Sequence, residues 1–312
     1  MLVVATTRAA AAIGLMERAM PDAAARPALL LHAVVLTAVA MVAFAANSLL
    51  CRLALQQGGI DPASFGSIRL ASGAITLALV VRFRAQPSAL GRTSWLPAVM
   101  LFAYVAFFSF AYLSLSAGTG ALILFGAVQL TMLGAGLGSG ERFGVLAWFG
   151  FVLAAAGLVY LVSPGVAAPP LLGAVLMAVA GVAWGVYSLR GRGVADPLAA
   201  TARNFLRAVP LAFALSLVFA TRAHADARGI ALAVASGALT SGLGYVVWYA
   251  ALGRLSALRA ATVQLSVPLL AAFGGVLFLS EAITPRLALA SVAILGGIAL
   301  VLSQKSRRAA RR

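Results

Sequence analysis

An all-α membrane fold, with ten transmembrane helices in two inverted five-helix repeats, is predicted by three observations. The first is composition: 63% of the 312 residues are hydrophobic and only 10% are charged, with a mean hydropathy of +1.04. A soluble domain carries about 25% charged residues, so lipid must cover most of this chain. The second is the presence of ten apolar stretches that reach the roughly 20 residues a bilayer-crossing helix needs. The third is an internal repeat at an offset of 140 residues. It pairs Glu141 with Glu281 and Ser48 with Ser188, and aligns Val-Leu-x-Ala-Val-Ala-x-Val-Ala at 35–43 with the same pattern at 175–183. Internal repeats of this kind build secondary transporters.

The elements follow in chain order. Residues 1–28 form a leader with Arg8, Glu17, Arg18, Asp22 and Arg26 scattered among alanines. It lacks the unbroken apolar core and cleavage site of a signal peptide. The first repeat, 29–163, holds spans at 29–50, 63–82, 95–115, 117–138 and 143–163. The second, 164–303, holds spans at 169–189, 198–220, 229–250, 256–279 and 285–303, and residues 304–312 form a basic tail. Asp61-Pro62 and Ala195-Asp196-Pro197 read as helix starts, with Asp as cap and Pro at the first helical position. Gly138-Ser139-Gly140 and Ser163-Pro164-Gly165 read as tight reversals.

Charge sets the orientation. The net charge of +16 comes from 23 basic and 7 acidic residues, and all but one of the basic residues are arginine. With the N-terminus inside, sixteen of them fall on the cytoplasmic side and four outside, while Arg69, Arg203 and Arg207 lie within spans. This is the positive-inside bias of a multi-pass inner-membrane protein with both termini cytoplasmic. The same placement explains the positive charge without nucleic acid as a partner. Five spans per repeat is an odd number, so the halves enter the membrane in opposite directions. Glu141 then lies on the cytoplasmic side and Glu281 on the outer side.

Several short motifs carry a family likeness. Ala46-Asn47-Ser48 ends the first span, Ile68-Arg69-Leu70 opens the second, and Ser114-Leu115-Ser116-Ala117 joins the third to the fourth. Gly140-Glu141-Arg142-Phe143 and Ser280-Glu281-Ala282-Ile283 follow spans four and nine, and Val267-Pro268 lies within span nine. In this order and duplication the chain resembles the drug/metabolite transporter superfamily, in its ten-helix EamA form, over about 29–303. It departs at Val128, where the family usually has a proline in the fourth span. The resemblance implies export of amino acids, metabolites or drugs across the cytoplasmic membrane by alternating access, and the chain is similar to the amino acid exporters of that family.

Polar groups at lipid depth face a cavity or a partner helix. The substrate-binding candidates are therefore Asn47, Tyr104, Gln129, Trp184, Tyr187, Tyr245, Trp248 and Gln264, with amides to hydrogen-bond a small polar solute and aromatics to bracket it. Pro268 joins them because it frees a backbone carbonyl mid-span. Arg69 reads as a residue near the outer end of its helix, snorkelling to the headgroups. Arg203 and Arg207 read as helix-end contacts, and Glu141 and Glu281 as caps of the helices that follow them. No Asp or Glu falls at the midplane, which favours a facilitator or exchanger over coupling through a buried carboxylate. Nothing in the pattern asks for a cofactor or metal, and Cys51, the sole cysteine, can form no intrachain disulfide. Both histidines lie near span ends and all four aspartates lie in loops or the leader, which leaves no catalytic constellation at depth for an intramembrane enzyme.

Overall fold

The computed structural model describes residues 25–84, 94–140, 143–255 and 257–309. Most of the leader, Arg92, Glu141, Arg142 and the last three residues lie outside them. Ten helices account for the fold: α1 (Ala25–Gln56), α2 (Pro62–Arg82), α3 (Leu96–Ala111), α4 (Ala117–Gly138) and α5 (Val145–Val162) in the first half. The second half holds α6 (Leu171–Arg190), α7 (Pro197–Val218), α8 (Ala227–Leu252), α9 in two pieces (Ala257–Gln264 and Ser266–Leu279) and α10 (Pro285–Ala309). In lipid every backbone N–H and C=O must be satisfied within the segment, and a helix does this. Eight of the ten are long and apolar enough to cross a membrane. Of the other two, α3 is only 16 residues, and α7 carries Arg203, Asn204 and Arg207 in its first half.

Helix starts follow the predicted chemistry. The Asp61 carboxylate accepts from the N–H groups of Ala63 and Ser64 at 3.0 and 2.9 Å ahead of Pro62. Asp196 accepts from Ala199 N–H at 3.0 Å ahead of Pro197. Some boundaries move. Helix α1 runs six residues past the expected end at 50, α3 stops four short of 115 because the chain turns at Tyr112, and α10 continues into the basic tail. Arg207 rests on the Trp95 ring at 5.1 Å and donates to Ser94 O at 3.4 Å, a helix-end contact as read from the sequence.

The packing is reciprocal between the halves. Helix α5 packs on α10, α4 on α9 and α2 on α7; α3 packs on α6 as α1 packs on α8; α4 packs on α6 as α9 packs on α1. Glycines permit the closest crossings. A β-carbon at Gly297 would collide with Gly150 O, and one at Gly157 would press on Ala293 and Ile294. Outward faces stay apolar, with Val145, Val152, Leu217, Phe278 and Val292 exposed to where lipid would lie.

Candidate functional site

Interior portions of six helices enclose a chamber. Phe44, Asn47 and Ser48 come from α1, Arg69 from α2, Tyr104 and Phe108 from α3, Leu124, Phe125 and Val128 from α4, Trp184 from α6, and Ser241 and Tyr245 from α8. Its free volume is about 20 Å³, room for roughly one water. A larger groove of about 400 Å³ lies between α2 and α7, but Ser64, Ser67, Ser72, Ser216 and apolar side chains line it, with no charge.

Local structure explains how α8 builds its wall. Residues 235–243 form a π-helical segment within α8, a wider turn that often marks functional sites. It aims three hydroxyls at Asn47. Ser236, Thr240 and Ser241 donate to Asn47 Oδ1 at 2.8, 2.7 and 3.4 Å. Small residues allow the approach. A β-carbon at Gly237 would collide with Ser72 Oγ and the Arg69 carbonyl, so α8 meets α2 backbone to backbone beside the chamber.

Arg69 corrects the sequence reading. It does not snorkel: it is 2% exposed and turned into the bundle. Its Nη2 donates to the Tyr104 hydroxyl at 2.9 Å and its Nε to Ser241 Oγ at 3.2 Å. Its guanidinium carbon lies 4.9 Å from the Phe108 ring centre and 5.3 Å from that of Tyr104. Nη1 is buried without a partner. No carboxylate lines the chamber, and the ion pairs among the described residues, Arg52–Glu281 and Arg84–Asp196, leave Arg69 out. Burying a cation without a counter-ion is costly, and ring faces and two hydroxyls offset only part of that cost.

The chamber gathers four of the predicted residues: Asn47, Tyr104, Trp184 and Tyr245. The Trp184 ring sits 4.4 Å from Tyr104 edge-on and 5.8 Å from Tyr245 in a stack. Tyr187 stands behind Trp184, its hydroxyl donating to Thr201 Oγ1 at 3.3 Å. Trp248 packs edge-on against Phe44 at 5.8 Å, outside the lining. Gln129 is buried one residue past the lining Val128, Gln264 is half-buried where α9 breaks, and Pro268 is buried beyond it; none of the three lines the chamber. The sequence reading missed Arg69 and the hydroxyls of α8. The signal for Arg69 was its charge, two turns into an apolar span. Nothing in Ala-Ser-Gly-Ala-Leu-Thr-Ser-Gly-Leu announced a π-helical turn.

At one end of the bundle Glu281 closes a clasp. Its carboxylate accepts from Ala117 N–H at 2.8 and 3.1 Å and from Arg52 Nε at 3.4 Å. Arg52 Nη1 also donates to the carbonyls of Tyr112 and Leu113 at 3.0 and 3.1 Å. Glu281 therefore caps α4, not the helix after it; α10 is capped by Thr284, whose hydroxyl accepts from Leu287 N–H at 3.1 Å. Burial pushes the Glu281 carboxyl above its ordinary range, with the Ala117 N–H and Arg52 pulling against that shift. Among the described residues no cluster of His, Cys, Asp or Glu could hold a metal ion.

Residues 171–303 match the model of the EamA-like transporter family. Over 276 residues the chain is 55% identical to the uncharacterized protein PA1977 of Pseudomonas aeruginosa, an alignment that covers 88% of this chain and 96% of that one. A crystal structure of a protein 20% identical in sequence superimposes with a TM-score of 0.62, covering 86% of this chain and 96% of the other. At that identity the likeness concerns the fold.

Proposed function

The chain belongs to the EamA-like transporter family, and from that premise we propose that it is an alternating-access carrier exporting small polar metabolites, amino acids foremost, across the cytoplasmic membrane. The family is one of transporters, not enzymes. The observation that carries this reading is a small chamber with walls from both halves, in which Asn47, Ser48, Arg69 and Ser241 stand among aromatic side chains. At about 20 Å³ the chamber holds about one water, so a larger solute must be admitted there by rearrangement, as in a carrier.

Support for two inverted repeats comes from the reciprocal helix pairing. Exchanging each of α1–α5 for the helix five places on reproduces the main packing pairs, the pattern an in-plane pseudo-two-fold axis would give. With both termini cytoplasmic, as the arginine bias favours, the Arg52–Glu281 clasp lies at the outer face. Because no carboxylate lines the chamber, the carrier works as a facilitator or exchanger rather than by protonating a midplane acid.

The test is solute counterflow in liposomes holding the purified full chain. Internal unlabelled amino acid should accelerate uptake of the same labelled amino acid. A protein that passes labelled solute equally with and without internal substrate would be a channel.

A further inference from the structure

Two residues that line the chamber carry buried polar atoms without hydrogen-bond partners, Arg69 at Nη1 and Tyr245 at its hydroxyl. The other nitrogens of Arg69 are engaged by Tyr104 and Ser241, and Asn47 Oδ1 accepts from hydroxyls of α8. We infer that the chamber is a carboxylate site, in which Arg69 Nη1 binds the carboxylate of the transported solute and the Tyr245 hydroxyl supplies a second hydrogen bond. This rests on the reading of the chamber as the substrate site and names the group by which the solute is held.

The chemistry selects the ligand class. Nη1 offers two N–H donors from a guanidinium that keeps its charge when buried. An anion there relieves the missing counter-ion and forms charge-assisted hydrogen bonds, which are the strong ones. One cation balances one negative charge, so a carboxylate fits where a phosphate dianion would leave a buried charge uncompensated. An ammonium group meets the opposite situation: no acid lines the chamber and Arg69 repels it. For an amino acid, then, the carboxylate is recognised by charge, and the amino group meets ring faces and neutral hydroxyls but no counter-ion. The free volume holds about one water, so the walls must part to admit the carboxylate and the rest of the solute.

The experiment is equilibrium binding to the purified full chain by calorimetry. The ligands are a panel of carboxylates from acetate to 3-phenylpropionate, with phenylalanine, phenethylamine and phenyl phosphate beside them. The acid should bind at least as tightly as phenylalanine and at least tenfold more tightly than the amine. Arg69→Gln should weaken the acid more than tenfold, while Arg69→Lys, which keeps the charge, should retain part of its affinity. The wild-type ligand series decides the matter even where a variant fails to fold. Amine binding as tight as that of the acid, tighter binding of phenyl phosphate, or undiminished acid affinity in folded Arg69→Gln would each overturn the inference. No binding across the carboxylates, with counterflow of another solute intact, would overturn it and leave the carrier standing. Carboxylate binding without any counterflow would do the reverse.

Discussion

Two of the acidic residues that cap helices, Asp61 and Glu281, titrate in opposite directions. Burial raises Asp61, but hydrogen bonds from Ser64, His224 and Ala63 outweigh it and hold the carboxyl below its ordinary value of 3.8. A depressed folded value means the cap contributes stability above the unfolded value and loses it as pH falls through the folded one. Asp61→Ala should therefore destabilise the protein at pH 7 by about 1–2 kcal/mol, the usual worth of a cap. The gap to wild type should close on acidification below the ordinary carboxylate range. Glu281 carries the reverse sign, since burial lifts it above 4.5 against Ala117 and Arg52. Its charge costs stability above the raised value, and that cost disappears as pH falls through it. Glu281→Gln keeps an acceptor for Ala117 N–H, so its Tm at pH 7 should equal or exceed that of wild type. Wild type should then gain on the variant on moving towards pH 4. Thermal unfolding of the detergent-solubilised protein across pH reads both effects, and a lower Tm for Glu281→Gln at pH 7 would contradict the Glu281 argument.

Between residues and bundle stand the two interrupted helices, α8 with its π turn and α9 with its break. Helix α9 parts at Leu265, whose N–H bonds Thr262 O at 3.1 Å in a tighter turn. Pro268 explains this: a proline offers no N–H to the carbonyl four residues back, here that of Gln264. Its repeat mate in α4 is Val128, and α4 runs unbroken from Ala117 to Gly138. The break therefore belongs to one half only. Pro268→Ala restores the missing donor and should raise the Tm while slowing counterflow severalfold; faster or unchanged counterflow would remove α9 from the moving parts. The break was legible in the sequence because proline acts through its own covalent chemistry. So were the Asp-Pro caps, the ten helices and four chamber residues, all set by residue type and depth. The orientation of Arg69 was not. Sequence position gives depth along a helix, but the direction a side chain faces is fixed by neighbours, here α8 brought onto α2 by Gly237. Gln129 illustrates the same point: it is buried one residue past Val128 but does not line the space that Val128 lines.

At the scale of the whole molecule, the arrangement makes a claim about faces that chemistry can check. If five-helix halves are inverted, loops occupying equivalent places in the two repeats must open on opposite sides of the membrane. Gln57, between α1 and α2, corresponds to Arg192, between α6 and α7; Ser139, between α4 and α5, corresponds to Ala282, between α9 and α10. All four are exposed, whereas the native Cys51 is 0% exposed and adds little background. Single cysteines at these positions, probed on intact cells with a membrane-impermeant maleimide, should divide by inversion rather than by repeat. Gln57→Cys and Ala282→Cys should label from outside, and Ser139→Cys and Arg192→Cys only after lysis. The expected split also places the Arg52–Glu281 clasp at the outer mouth, facing the side to which an exporter must release its cargo. Labelling of Gln57→Cys and Arg192→Cys from the same side would mean parallel halves. The reciprocal packing of α2 on α7 and α4 on α9 would then need an axis along the membrane normal, and alternating exposure by rocking one inverted half against the other would no longer follow from the fold.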